Sequence, residues 1–533
     1  MKKIIILAIV ATCFLTGTLN AQTLYDANRL MGSNLNGTAR FVGMGGAMGA
    51  LGGDISTIGT NPAGIGIYRS NEAMFSFGFV NTGSQSTFNS TTTDTDNFHG
   101  SFDNIGFVLS NKIGNLTPLK YVNFGFNYRK LKSFNKNMAA RGHTSVSQTQ
   151  QFASMVNNNS KYYGQLLSPD ELISTDAFQL DYIPWLGAMA YEAYLITLDD
   201  DNEQYSPYLL KDNIVFSEYS SEERGGVDSY DINMSFNLYN RLYLGVTLGA
   251  YGVDYTRYSS YSETFLVNNK NDGNYTLHNK YFLEGSGIDF KLGFIVRPIE
   301  SSSLRIGAAI HTPTWYQLKE NHFAQLSYKS YVSDDEYVIG ETYPQSKYGD
   351  KMEGETEYRI TTPWKYNVSL GYTIGRNIAV GVEYEYSDHS TGTLRYDDGM
   401  KIDEETNAIK KGLKEVHTIR AGAECKLTPE FCLRLGYNHI TASTHNNASK
   451  NLPINTIRTD TEFFNGKATN NYTFGFGYRG ENLYVDMAYL YNNYKEDFYA
   501  FDFKQIDLPL IDLPKTEVTT DNHKIMFTLG VRF

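Results

Sequence analysis

The chain has 533 residues, a net charge of −12, 41% hydrophobic and 14% aromatic residues, and a mean hydropathy of −0.38. This mean hydropathy excludes a bundle of membrane helices, which needs repeated apolar runs of about 20 residues. The aromatic content excludes a disordered chain, and the acidic balance argues against nucleic acid as a partner. The abundance of Tyr, Phe and Gly is typical of β-structure.

Residues 1–21 form a predicted secretory signal peptide, with a basic start at 1–3 and an apolar core at 4–15. This core of about 12 residues is too short to span a bilayer as a helix. The mature chain is therefore expected to begin at Gln22. Cys13 offers a lipoprotein alternative, which is disfavoured because cutting there would shorten the apolar core.

Export would leave two cysteines, Cys425 and Cys432, in a compartment where disulfides can form. Strand parity places the two side chains on opposite faces of one hairpin. Because directly paired residues share a face, we expect two free thiols.

From about residue 74 onward, apolar and polar residues alternate with a period of two. In 378–386, for example, one face is apolar or aromatic and the other is small or acidic. This period indicates strands that separate an apolar medium from a polar one. Short turns alternate with long polar stretches, and together they predict fourteen strands, near 74–82, 102–111, 120–132, 227–238, 241–255, 279–297, 303–313, 357–373, 377–389, 415–427, 430–443, 469–479, 481–496 and 521–533.

An even strand number with all short turns at one end is typical of outer-membrane barrels. We therefore predict an all-β fold over 74–533, a transmembrane antiparallel β-barrel of about 14 strands in the outer membrane of a Gram-negative bacterium. Its long extracellular loops are expected at about 83–101, 133–226, 256–278, 314–356, 390–414, 444–468 and 497–520, of which 133–226 is the longest. A soluble sandwich also alternates, but charges on the polar face, such as Asp289 and Arg434, indicate a wet lumen. The C-terminal strand, ending at Phe533, is expected to contact the outer-membrane assembly machinery.

Residues 22–73 do not alternate and contain a glycine-rich run at 43–54. This run is not a nucleotide loop, because the third glycine position is Met48 and no GK[ST] ending follows. A compact Gly- and Ala-rich segment ahead of a wide barrel is expected to plug its lumen. We therefore predict an N-terminal hatch over 22–73.

Three motifs in this segment carry a family resemblance: Ala39-Arg40-Phe41-Val42-Gly43-Met44-Gly45-Gly46-Ala47, Leu51-Gly52-Gly53-Asp54 and Asn61-Pro62-Ala63-Gly64-Ile65. Together they resemble the N-terminal hatch of the FadL-type outer-membrane transporters, which include long-chain fatty acid and aromatic-hydrocarbon channels. The resemblance implies a passive channel for hydrophobic compounds such as long-chain fatty acids, with an apolar pocket gated by the hatch. It also implies neither enzymatic activity nor a cofactor or metal. The strand distortion through which such proteins release ligand sideways is not identifiable in the sequence.

The candidate functional residues follow from this resemblance. The hatch motif is Asn61, Pro62, Ala63 and Gly64. The candidate apolar contacts to ligand, which could equally serve hatch packing, are Phe41, Met44, Met48, Leu51, Ile55 and Ile58. The expected partners are the lipid bilayer and a hydrophobic small molecule.

Other interpretations stay open. A receptor for haem or another amphipathic ligand would use histidines, although the ten histidines fall where loop sequence predominates and are expected to be solvated. A surface adhesin is compatible with long polar loops. A hydrolase would need a nucleophile beside an oriented histidine, for which 387–389 is the nearest cluster. Helical patches at 148–156 and 184–195 predict a self-packed loop cap or an apolar landing surface.

Overall fold

The computed structural model describes residues 22–199, 201, 203–208, 214–267, 270–333, 336–450, 452–453, 455–502 and 513–533. The predicted signal peptide at 1–21 therefore lies outside the described residues. No helix within the described part of the chain is both long and apolar enough to cross a membrane.

Twenty-one strands occur among the described residues. They are β1 (Glu72–Phe88), β2 (Thr91–Lys112), β3 (Leu119–Ser133), β4 (Lys136–Thr144), β5 (Ile196–Leu198), β6 (Tyr205–Pro207), β7 (Ile214–Leu238), β8 (Leu242–Val267), β9 (Lys270–Val296), β10 (Arg305–His311), β11 (Trp315–Ser333), β12 (Glu336–Thr342), β13 (Gly354–Thr361), β14 (Lys365–Ile374), β15 (Ile378–Asp388), β16 (Thr393–Tyr396), β17 (Glu415–Lys426), β18 (Phe431–Ile440), β19 (Phe463–Arg479), β20 (Leu483–Tyr499) and β21 (Thr516–Arg532). Strands β5 and β6 form a separate small sheet.

The large antiparallel sheet closes into a barrel, because β1 pairs with β2 on one side and with β21 on the other. Fourteen passes of the chain form the wall, which confirms the predicted fold class. Three passes are divided, with β3 continuing into β4, β10 into β11 and β13 into β14. Pro313 and Pro363 account for the last two divisions, because proline cannot donate to the ladder. The amide of Thr314 instead donates to Thr362 Oγ1 at 2.8 Å.

The outer face of the wall is apolar and the inner face is polar. The outward side chains in the middle of β8 and β9 are exposed and aliphatic or aromatic, namely Leu244, Val246, Leu248, Ile288, Phe290 and Leu292. The inward Thr247, Asp289 and Lys291 between them are buried. Exposed aromatic residues border this band, among them Phe102, Tyr230, Trp315, Trp364 and Tyr366. This arrangement is that of a barrel immersed in lipid.

The prediction that 256–278 and 314–356 are long loops is wrong. Strands β8 and β9 run through the first stretch, and β11, β12 and the start of β13 occupy much of the second. The stretch 133–226 likewise contains β4 and the outer half of β7. The phase of the apolar alternation reverses in these extensions: even-numbered residues of β8 face lipid up to Leu248, whereas the apolar side chains beyond it, such as Tyr255 and Phe265, point inward and are buried.

Six α-helices and four 3₁₀-helices occur among the described residues. The α-helices are α1 (Leu24–Met31), α2 (Ala39–Gly43), α3 (Thr149–Tyr163), α4 (Pro169–Leu172), α5 (Trp185–Glu192) and α6 (Asp403–Gly412). The 3₁₀-helices are Ile55–Gly59, Pro62–Ile67, Ala177–Gln179 and His389–Thr391. The two predicted helical patches thus correspond to α3 and α5.

Helices α3 and α5 close the outer mouth of the barrel. Phe152 of α3 and Trp185 and Met189 of α5 are buried in one apolar cluster with Phe265 and Tyr275 from the strand extensions. The extensions therefore have an apolar core of their own, which is why many of their inward residues, such as Phe265 and Tyr275, are aromatic.

The two cysteines of the described chain are free, as expected. In the β17–β18 hairpin Cys425 lies opposite Leu433, and Cys432 lies opposite Lys426. The expectation that all histidines are solvated loop residues is wrong. His311, His322 and His389 are buried, because the strands carrying or flanking them line the lumen or its outward extension.

Candidate functional site

The hatch fills the end of the lumen near the short turns. Five glycines on the inner face of the wall accommodate its backbone, because a β-carbon at any of them would overlap a hatch atom. They are Gly245 and Gly293 against Pro62 and Asn61, Gly381 against Ala47, Gly422 against Met44, and Gly436 against Gly45. Such close approach of two backbones is available only to glycine. The hatch is thus fitted into the wall from several sides.

The predicted hatch motif makes specific contacts. Asn61 caps the 3₁₀-helix Pro62–Ile67, with its Oδ1 accepting from the Ala63 amide at 3.2 Å and its Nδ2 donating to the Phe294 carbonyl of β9 at 3.1 Å. The Pro62 carbonyl accepts from Ser235 Oγ of β7 at 2.9 Å. The motif therefore holds the hatch to three neighbouring strands, β7, β8 and β9.

The second motif packs on the first. Gly52 and Gly53 have φ of +62° and +70°, and the Gly53 amide donates to the Gly64 carbonyl at 3.0 Å. Asp54 follows and accepts from Thr38 Oγ1 at 2.7 Å. The left-handed turn requires glycine, which explains the Gly-Gly-Asp sequence physically.

The six candidate apolar contacts have different surroundings. Phe41 lines the central cavity described below. Met44, Met48 and Leu51 pack in one buried cluster with wall residues of β20 and β21. Ile55 and Ile58 pack in another, with Ile65, Met74 and Val108. A ligand-binding role for these six residues remains a prediction.

A cavity of about 500 Å³ lies between the hatch and the outer cap. This volume falls within the roughly 300–1,000 Å³ of ligand pockets in proteins. Its lining differs from the expected apolar pocket, because apolar residues such as Leu30, Phe41 and Leu131 alternate with charged ones. Thirteen Lys and Arg residues line it against six Asp and Glu residues. The cavity thus combines an apolar surface with a cationic one.

Ten of these thirteen cations form ion pairs within the described chain, Lys132 and Lys365 do not, and neither does Arg129 of β3. Its side chain is only 7% exposed, Nε has no hydrogen-bond partner, and no ion pair with it exists among the described residues. A β-carbon on Gly59 of the hatch would overlap its guanidinium group. A buried charge without a partner is destabilising by several kcal/mol. Arg129 therefore presents an uncompensated positive charge to the cavity above the hatch.

A row of basic side chains faces the cavity from the neighbouring strands. His311 of β10 lies in register with Lys291 of β9 and with Lys365 of β14. Lys291 is paired with Asp231 at 2.6 Å, and His311 Nε2 lies 3.0 Å from the carbonyl oxygen of Thr60 in the hatch. Lys365 has no ion pair within the described chain, so it is a second cation available to a ligand.

The barrel wall is interrupted beside Arg129. The ladder between β2 and β3 ends at the pair Asn104–Arg129, and beyond it β2 pairs only with β1 while β4 pairs only with β7. The causes are a bulge at Asp103 and a register shift at Leu131. Farther out, side chains bridge the interruption, with Thr95 Oγ1 donating to the Asn137 carbonyl at 2.9 Å.

Hatch residues 33–36, termed the side segment, lie across this interruption. The Asn34 amide donates to the Leu131 carbonyl at 3.0 Å. Asn36 Nδ2 donates to Asp103 Oδ1 of β2 and to the Lys130 carbonyl of β3, both at 3.0 Å. Asn34 is exposed although it belongs to the luminal hatch. The side segment thus bridges β2 and β3 just beyond the last pair of their ladder.

The histidine cluster considered for hydrolysis lacks the geometry of a nucleophile and base. Ser387 Oγ donates to the Trp364 carbonyl, Asp388 caps the following helical turn, and His389 Nδ1 lies 3.3 Å from Asn28 Oδ1. No group of three or more His, Cys, Asp or Glu residues in the described chain could hold a metal ion.

Neither a protein-family model nor a curated protein matches the sequence. Solved structures do match. A FadL homologue from Pseudomonas aeruginosa aligns at 12% identity and a TM-score of 0.51, covering 94% of this chain and 99% of that one. The toluene transporters TodX of P. putida and TbuX of Ralstonia pickettii align at 12% identity, with TM-scores of 0.45 and 0.44, covering 95% and 94% of this chain and 99% of each of theirs. By the first of these alignments, the chain has the fold of the FadL-type outer-membrane channels.

Proposed function

We propose that this protein is an outer-membrane channel for hydrophobic compounds that carry an anionic head group, with long-chain fatty acids as the representative class. The observation that carries the proposal is Arg129, a buried guanidinium without an ionic partner in the described chain that faces the cavity. An anionic group bound there would compensate this charge, whereas a neutral hydrocarbon would leave it unpaired. Lys365 offers a second cation to the same head group.

The rest of such a ligand would lie on the apolar lining of the cavity. Each buried CH₂ group contributes about 0.8 kcal/mol, so an acyl chain gains affinity without specific polar contacts. Leu30, Phe41 and Leu131 supply surface of this kind near Arg129. The cavity thus offers cations to a head group and apolar surface to a tail, which is the combination that an amphiphile requires.

The route out of the cavity follows from the cost of moving each barrier. Displacing the hatch as a body would break its hydrogen bonds to strands all round the lumen, among them β7, β9, β15 and β21, together with its glycine contacts. Opening the side segment would break the hydrogen bonds of Asn34 and Asn36, next to Arg129, and remove Leu35 from its apolar cluster, which is less than the whole hatch would lose. We therefore propose that the hatch gates the channel through its side segment, and that ligand leaves sideways between β2 and β3.

Binding to the purified protein tests the proposal. Palmitate and hexadecanol have the same chain length and differ in the charge of the head group. We expect saturable palmitate binding with hexadecanol weaker by roughly 10- to 100-fold, because hydrogen bonds to a charged group contribute about 1.5–3 kcal/mol. Equal affinities would refute the anionic head group, and no binding of either compound would refute the channel.

A further inference from the structure

The hairpin formed by β11 and β12 leaves one strand edge of the sheet unpaired. Among the described strands, β12 pairs with β11 alone. Ser327 of β11 lies opposite Glu341 of β12, twelve residues beyond Trp315, which borders the lipid-facing band. At 3.3 Å per residue this separation is about 40 Å along the strand. The free edge of β12 therefore lies outside the lipid, at the outer end of the barrel.

The hydrogen bonds of β11 show which groups of β12 face this edge. The Tyr331 amide donates to Tyr208 Oη at 3.1 Å, and that hydroxyl donates to the Asp272 carbonyl of β9 at 2.7 Å. The backbone of Tyr331 thus points toward β9, and its register partner Tyr337 points away from β11. Because backbone groups point to alternate edges along a strand, the amides and carbonyls of residues 337, 339 and 341 face the free edge. Within the described chain none of these groups has a partner.

The inner face of the hairpin is fixed to the helical cap at the outer mouth. Thr342 Oγ1 of β12 donates to Glu192 Oε2 of α5 at 2.6 Å, and Ser330 Oγ of β11 donates to the Ala193 carbonyl at 2.7 Å. The outer face is open, with Ile339 of β12 69% exposed. The edge is thus held in a strand conformation before any partner arrives, which lowers the ordering cost of binding.

The free edge lacks the protection that exposed sheet edges usually have. Such edges are commonly blocked by proline or lysine, and β12 contains neither. Its charged residues are Glu336 and Glu341, which are exposed and form no ion pair within the described chain. A segment that pairs with β12 can therefore gain hydrogen bonds from the strand backbone and ion pairs from basic side chains of its own.

Two other occupants of this edge fit less well. Lipid cannot satisfy the free amides and carbonyls, because acyl chains neither donate nor accept hydrogen bonds. Two copies of this chain that pair antiparallel through β12 would have their strands, and hence their barrels, pointing in opposite directions. Such a pair could not share one membrane. The free edge therefore fits a separate polypeptide with a basic, extended segment.

We propose that β12 is a docking site for an extended segment of another extracellular protein, which joins the sheet as an antiparallel strand. Apolar β-branched or aromatic side chains of that segment lie beside Tyr337 and Ile339, because directly opposite residues share a face. Lys or Arg residues lie opposite Glu336 and Glu341. This inference is independent of the function proposed for the cavity.

A peptide of complementary chemistry tests the proposal on the full-length protein. The probe is Thr-Lys-Thr-Val-Thr-Val-Lys with blocked ends, which in antiparallel register places Val opposite Tyr337 and Ile339 and Lys opposite Glu336 and Glu341. We expect saturable binding. N-methylation of the central Val should weaken it by roughly tenfold or more, because a hydrogen bond is lost and a methyl group meets the strand. N-methylation of the preceding Thr, whose amide points away from β12, is the matched control and should leave the affinity unchanged. Equal effects of the two methyl groups overturn the proposal.

Hydrogen exchange resolved to single amides locates the bound peptide. The amides of Tyr337, Ile339 and Glu341 should exchange more slowly when the peptide is present. The amides of Val338 and Gly340 point toward β11 and should not change. Protection without this alternation overturns the proposal. The same alternating protection in concentrated protein without peptide, together with a dimer mass, would assign the edge to a second copy and overturn the proposal as well.

Variants of the strand complete the test. Ile339→Pro removes the central donor of the free edge, a change that edge positions tolerate, and should lower peptide affinity by roughly tenfold or more. Tyr348→Ala, at an 80% exposed position outside β12, is the control and should bind normally. Glu336→Lys with Glu341→Lys should weaken binding by roughly 2- to 30-fold, the range for two exposed ion pairs, and a peptide with Glu in place of both Lys should restore it. Unchanged affinity in the folded variants overturns the proposal. If the variants do not fold, the two methylated peptides decide it on the native protein.

Discussion

Arg129→Gln separates binding from stability. The substitution keeps a polar side chain but removes the charge that has no ionic partner among the described residues. Losing a hydrogen bond to a charged head group costs about 1.5–3 kcal/mol. At about 1.4 kcal/mol per tenfold change, palmitate affinity should fall by roughly 10- to 100-fold. The folded protein should be equally stable or more stable, because a buried unpaired charge has been removed.

Equilibrium dialysis with labelled palmitate measures the first effect, and thermal unfolding in the same detergent measures the second. Hexadecanol should bind Arg129→Gln as well as it binds the native protein. Arg359→Gln, on the outer surface, is the matched control for both measurements. A variant that loses palmitate and hexadecanol equally, or that loses stability together with binding, would show that Arg129 is a packing residue and refute the reasoning.

Three further predictions concern the hatch and the loop above it. Gly436→Val should destabilise the hatch by about 1–3 kcal/mol through overlap with Gly45, seen as faster proteolysis at residue 45, whereas Gly252→Val, with no atom within 4 Å of its β-carbon, should not. Asn36→Ala should speed palmitate release without changing hexadecanol binding. Burial raises the pKa of Glu405 in α6 from 4.5 to about 7. Because the folded loop then keeps a proton that the unfolded loop has already released, its stability should be full below pH 4.5 and fall as pH rises from there through about 7. Hydrogen exchange of the amides in this loop should show the pH dependence, and Glu405→Gln should abolish that dependence.

The barrel was predictable because its signal is local. In β15 every second residue faces lipid and must be apolar, so the period of two is visible in 378–386 without any tertiary contact. The tight turns are predictable for the same reason, because a few neighbouring residues determine each of them. Closure and strand count then follow, since antiparallel neighbours joined by short turns can remove both free edges only by pairing β1 with β21.

The strand extensions were missed although the sequence contains their signal. The alternation does not stop after Leu248; its phase changes, so that the odd-numbered residues Tyr255, Tyr261 and Phe265 become the apolar set. A reversal of phase marks where a strand leaves lipid and begins to cover a core of its own. The outward residues become polar beyond this point because they face water instead of lipid, although the strand itself continues.

The candidate site was predictable only in part. The motif at Asn61–Gly64 and the Gly-Gly-Asp turn are local, so they could be found by resemblance. The first holds the hatch to the wall, and the second packs on the first. Arg129 could not be found, because it is one of many cations on lumen-facing strands. Its significance lies in the absence of a partner in the described chain, which depends on where the side chains of distant strands fall.

Two barriers close the cavity, the hatch and the interrupted wall, and the wall is the weaker one. The glycines at 245, 293, 381, 422 and 436 exist because the hatch backbone is too close for any side chain, and this fit resists motion of the hatch as a whole. The wall, by contrast, is missing a ladder between the outer part of β2 and β4, and a few hydrogen bonds of the side segment and of Asn137 replace it. Under the proposed function, the barrel needs both a rigid floor against leakage and an exit for amphiphiles, and an exit in the wall would satisfy both demands. Because Arg129 lies at the last pair of the β2–β3 ladder, a head group bound to it as proposed would lie at the start of that exit.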